Sequence, residues 1–163
     1  MPTTLTIGTI VAGSCHIRDT LPACLFTIES VSQEEGTRFN QELSGLGFGY
    51  SQCGVGFGPI EDWPIDADEA YEIQAEILEA LIDYAPPFTY VGTHPGDGAD
   101  LGCWPDHDAI EMAIHDKEML RIGDLADLPA NYTGGYVLVN DHGNMTLGHA
   151  INGESVQVHW AIV

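Results

Sequence analysis

The stretch "DADEAYEIQAEILEALIDYA", residues 66 to 85, constrains the fold more than any other part of the chain. Ile73, Ile77, Leu81 and Tyr84 recur at helical spacing, which places them along one face of an α-helix. Asp66 or Asp68 can cap its start, and Pro86-Pro87 ends it. A helix with one apolar stripe must bury that stripe against another layer, so the remaining sequence has to supply one.

The opposite face of the same helix carries Glu69, Glu72, Glu76, Glu79 and Asp83, again at spacings of three and four. No lysine or arginine interrupts them. A solvated helix normally mixes signs, because opposite charges three or four apart gain about 0.2–0.5 kcal/mol and like charges lose a similar amount. The imbalance extends to the whole chain. Twenty-five Asp and Glu face only Arg18, Arg38, Lys117 and Arg121, for a formal charge of −21 over 163 residues. Such a charge repels nucleic acid and anionic membrane and attracts basic surfaces, with a salt-sensitive reach. One reading of the stripe is a polar face on a protein adapted to salt or solubility. The other is a rod of negative charge whose neighbours, roughly 5–6 Å apart, approach the phosphate spacing of a DNA strand.

The C-terminal third reads as sheet. "YVLVN" and "MTLGHAI" flank the turn "DHGN", and "VQVHWAIV" returns after "NGES", a three-strand meander. At the other end, "TLTIGTIVA" (4–12) reads as a β-branched strand and "CLFTIESV" (24–31) as a second strand. "SQEEGTRFNQEL" begins with Ser32 and Glu35 at capping-box spacing, so a short helix ending before Gly45 is expected, with Phe39 and Leu43 on one face. Gly36 weakens that helix. "FTYVG" is a short strand, and 106–120 a second clear helix with Ile110, Ala113, Ile114 and Leu120 as core contacts. The expected fold is α+β: an antiparallel sheet including the C-terminal meander, with two or three helices packed on it. Length suggests one domain over 1–163, with lobes dividing near 92/93 as an alternative.

"GLGFGYSQCGVGFG" (45–58) does not match a dinucleotide or phosphate-binding pattern, since it lacks both the strand–helix setting and a P-loop lysine. Cys15, Cys24, Cys53 and Cys103 form no CxxC pair. The N-terminus has no basic segment followed by a long apolar run, so neither a signal peptide nor a spanning helix is expected. A cytoplasmic protein is the default, with no cofactor required.

"THPGDGADLGCWPDHD" (93–108) holds the residues with ligand chemistry. His94, Asp97, Asp100 and His107 suit zinc, manganese or magnesium, and Asp141 with His142 could join them as an acid/base pair in a metal-dependent hydrolase. The spacing matches neither HExxH nor an EF-hand loop. Pro95-Gly96-Asp97-Gly98 is turn chemistry, and Pro105 with Asp106 or Asp108 suits a helix start. The stretch therefore reads mainly as a loop of turns and caps.

"APPFTYVGTHPGDGADLGCWP" (85–105) and "YVLVNDHGNMTL" (136–147) together resemble a family of small, acidic, largely uncharacterised proteins of bacteriophages and mobile elements. The resemblance covers about the second half of the chain and carries over no catalytic residue. It implies a setting in which small acidic proteins block host restriction or CRISPR machinery, sometimes by imitating DNA. The function expected is accordingly an anti-CRISPR or antirestriction inhibitor. It would bind the basic surface of a host nucleic-acid-handling protein through Glu69, Glu72, Glu76, Glu79 and Asp83, with Trp63 or Trp104 as anchors if exposed. The alternative is the hydrolase built on 93–108.

Overall fold

A computed structural model describes residues 4–48 and 65–162. The architecture is α+β: the described residues form four α-helices, a three-stranded antiparallel sheet and a four-stranded mixed sheet. The chain divides into two compact units, Met1–Ala85 with Thr89–Trp104, and Pro86–Phe88 with Pro105–Val163. The division falls at 104/105 rather than 92/93, because the strand ending at Trp104–Pro105 pairs back with the N-terminal strand.

In the first unit, β1 (Gly8–Val11) leads into α1 (Ile17–Val31), α2 (Gln33–Gly45), α3 (Ala67–Ile82), β2 (Thr89–His94) and β3 (Asp97–Pro105). The strand expected over 24–31 is instead the second half of α1. Local β-propensity in "CLFTIESV" loses to tertiary burial. Ile17, Leu21, Cys24, Leu25, Ile28 and Val31 recur at helical spacing and are all buried. Pro22, in the second turn, has no N–H to donate to Arg18 O, so the helix lacks that bond.

α2 is capped as its sequence indicates, with Ser32 Oγ accepting from the Glu35 N–H at 3.3 Å. It runs past the expected stop to Gly45 and closes at Gly47, whose φ of +99° lets Phe48 N–H reach Leu43 O at 3.0 Å. Gly36, which weakened the helix on propensity, is there for packing. A Cβ on it would come within 2.7 Å of the Glu29 backbone on α1. α3 is capped by Asp66, whose carboxylate accepts from the Glu69 N–H at 2.9 Å. Its apolar stripe behaves as expected, with Ile73, Ile77 and Leu81 buried and Tyr84 half-buried against the same cluster. Leu21, Ile28, Phe39, Leu43 and Leu101 complete this core, so α1, α2, α3 and the sheet share one apolar centre.

The loop expected over 93–108 is largely strand. β2 and β3 form a hairpin across Pro95–Gly96, and β3 lies between β1 and β2. Backbones approach closely here: a Cβ on Gly102 would sit 2.3 Å from Gly8 O and 2.7 Å from the Trp104 ring.

In the second unit, α4 (His107–His115) is followed by β4 (Met119–Ile122), a single 3-10 turn (Leu125–Asp127), β5 (Gly134–Val139), β6 (Met145–Ile151) and β7 (Glu154–Ile162). The meander β5–β6–β7 is as expected. The helix expected to run to 120 stops earlier. Lys117 takes φ +62°, its N–H bonds Ile114 O at 3.1 Å, and Glu118 N–H bonds Ala113 O at 2.9 Å, a Schellman closure. The freed segment pairs parallel to β5 as β4. Both faces of β5 are covered, since neighbouring Tyr136 and Val137 are each fully buried. Tyr136 joins Ile122, Leu128 and Ala150 in a cluster of this unit's own. β7 carries two bulges against β6.

The stretch 45–58 lies, beyond Phe48, outside the described residues, as do Cys53 and Trp63. Among the described residues, no helix is long and apolar enough to cross a membrane.

Candidate protein-binding face on α3

Burial of Ile73, Ile77 and Leu81 fixes the rotation of α3 about its axis, and with it the direction of every carboxylate. Glu69, Glu72, Glu76, Glu79 and Asp83 are all exposed. Among the described residues none of the five makes an ion pair or a side-chain hydrogen bond. The helix also lacks a basic residue in its last turn, where its dipole would favour one. Glu79 and Asp83 sit at that end, so the sequence accepts both like-charge repulsion and an unfavourable dipole.

The three arginines are paired with other carboxylates. Arg18 contacts Asp19 at 3.6 Å, and Arg121 bonds Glu111 at 3.1 Å. Arg38 is held on its own helix by Glu35 at 2.9 Å and Glu42 at 3.9 Å, its guanidinium 3.8 Å above the Phe39 ring. Its direct ion pairs are therefore with α2 and not with the carboxylates of α3. α2 and α3 flank an open cleft of about 560 Å³ whose lining includes Glu35, Arg38, Glu76, Glu79 and Asp83. Glu35 was singled out in the sequence only as a cap partner. Its place opposite α3 depends on the α1–α2 turn, which no periodicity reveals.

The His/Asp residues of 93–108 have separate tasks. His94 Nδ1 accepts from the Gly96 N–H at 3.1 Å, and its ring stands edge-on to Trp104 at 4.7 Å. Asp97 Oδ1 accepts from Ala99 N–H at 3.0 Å, an Asx turn opening β3. Asp100 Oδ2 accepts from Thr9 Oγ1 at 3.2 Å, while its Oδ1 is buried with no hydrogen-bond partner. Asp106 caps α4 through Ala109 N–H at 2.9 Å. His107 is exposed on α4, in the other unit from His94, Asp97 and Asp100. Among the described residues, no group of three or more His, Cys, Asp or Glu is gathered to hold a metal ion.

Asp141 and His142 lie 3.7 Å apart and almost fully exposed. Their turn is held by Asn140, whose Oδ1 accepts from the N–H groups of His142 and Asn144, each at 3.0 Å. Trp104 is half-buried and donates to Gly92 O at 3.0 Å, which makes it a structural ring rather than a free anchor. Of the thiols, Cys24 is buried and pushed up to about 12 by desolvation. Cys103 is raised by burial, opposed in part by its bond to Thr89.

Compared with protein-family models, with curated proteins and with solved structures, the chain matches none.

Proposed function

We propose that this protein is a non-catalytic inhibitor that presents α3 to the basic surface of a nucleic-acid-handling protein and competes there with nucleic acid. One observation carries the reading: five carboxylates are exposed on one helix face, and among the described residues none of them is in an ion pair. Burial of the opposite stripe fixes the backbone that carries that face, so only the carboxylate side chains remain to be ordered on binding. Charges at roughly 5–6 Å intervals offer a partner's arginines and lysines contacts like those a phosphate backbone offers. Glu76, Glu79 and Asp83 also line the cleft between α2 and α3, where the Glu35–Arg38 pair faces them. The resemblance of the second half to acidic phage proteins supplies the setting, a host restriction or CRISPR complex.

Competition tests this. The protein is titrated into a complex of duplex DNA with a purified basic defence nuclease. It is expected to displace the DNA, and E72Q/E76Q/E79Q to do so at least about tenfold less well, a loss of about 1.4 kcal/mol. Displacement unchanged by the triple substitution would refute the role of α3.

A further inference from the structure

The β6–β7 turn, remote in sequence from α3, contains the chain's sole Asn-Gly pair, Asn152-Gly153. An asparagine followed by glycine is chemically labile. The glycine amide nitrogen attacks the asparagine Cγ, ammonia leaves, and the cyclic imide is opened by water to aspartate or isoaspartate. Without a side chain on the following residue, nothing hinders that attack. Asn152 is exposed, so water has access.

The fold occupies the attacking group. Asn152 and Gly153 both have positive φ, +53° and +80°, a tight two-residue turn. The attacking nitrogen is committed, since Gly153 N–H donates to Tyr132 O at 2.9 Å. Asn152 N–H donates to Thr133 Oγ1 at 3.2 Å. Gly153 is pressed so closely on residues 129–130 that a Cβ would stand 2.6 Å from Pro129 O. Cyclisation therefore requires the turn to leave its seat on 129–133.

We propose that Asn152-Gly153 is a deamidation site gated by this docking, and that its isoaspartyl product releases the turn for good. Isoaspartate routes the main chain through Cβ and lengthens it by one carbon. Gly153, seated closely on residues 129–130, cannot return to Tyr132 O along the longer path. The site is thus an irreversible timer that reads how often this corner opens.

The full-length chain is incubated at mildly alkaline pH, folded and in urea, and residue 152 is followed by peptide mass spectrometry. The folded chain is expected to react at least about tenfold more slowly, equivalent to about 1.4 kcal/mol of local opening free energy. Thr133→Ala, at an exposed position, removes one docking bond and is expected to speed the folded reaction while leaving the urea rate unchanged. Asn152→Asp, which adds the charge without lengthening the chain, should melt like wild type, and the purified isoaspartyl form should melt lower. Equal rates in the two states, or a Thr133→Ala chain as slow as wild type, would overturn the gating. An isoaspartyl form as stable as wild type would overturn the release.

Discussion

Neutralising the α3 stripe should make the protein more stable, although it weakens binding. In E72Q/E76Q/E79Q every close like-charge pair of the stripe loses a member: Glu69 with Glu72, Glu72 with Glu76, Glu76 with Glu79, and Glu79 with Asp83. Each such pair costs about 0.2–0.5 kcal/mol, so the four together return about 0.8–2 kcal/mol. Removing Glu79 from the C-terminal half also relieves its opposition to the helix dipole. No ion pair of the stripe is lost in exchange, since Arg38 is bound to Glu35 and Glu42. At low salt the melting temperature should rise by about 2–4 °C per kcal/mol for a chain of this size. Helical circular dichroism reads this well, because α1, α2 and α3 hold most of the helix. The gain should shrink as salt rises and be nearly absent near 1 M, where the screening length is about 3 Å. A variant less stable than wild type at low salt would mean that these carboxylates have favourable partners, and the reasoning would fail.

Further substitutions probe the frame of each unit by itself. Asp66→Ala removes the α3 cap and should cost about 0.5–2 kcal/mol, measured by urea unfolding. Gly148→Ala would drive a methyl to within 2.4 Å of the Tyr136 hydroxyl and should destabilise the β5–β6–β7 sheet by about 1–3 kcal/mol. Lys117→Gly relieves a side chain held at positive φ and should stabilise by up to about 1 kcal/mol. Cys24 is protonated in the folded state well above its ordinary value of 9.0, so its contribution is complete below pH 9 and is lost as pH rises toward about 12. Alkaline unfolding should therefore shift upward in Cys24→Ala, relative to that variant's stability at neutral pH.

Much of this frame was legible in the sequence because caps and periodicity agreed. Ser32 and Asp66 mark helix starts that the structure bears out, and Ile73, Ile77 and Leu81 are buried as their spacing requires. The turn containing Gly143 and the Asn152-Gly153 turn locate the meander. Failures came where local chemistry and tertiary context disagreed. In "CLFTIESV" the β-formers conceal a helical stripe that begins at Ile17. The stop of α4 is hidden because Lys117, not glycine, takes the left-handed position, and so Met119 and Leu120 at the start of β4 read as helix. The glycines of 93–108 looked like loop, yet Gly102 serves a closely crossed strand. At the candidate face, sequence gave the stripe on α3. It could not give Glu35 across the cleft or the capture of Arg38 on α2, since both depend on how two helices meet.

The most direct measurement is the salt dependence of binding between this protein and a purified basic nuclease, for wild type and for E72Q/E76Q/E79Q. If α3 is the contact, wild-type affinity falls steeply with salt, the variant falls on a shallower slope, and the two converge near 1 M. Parallel lines of equal slope would show that the partner does not touch these carboxylates.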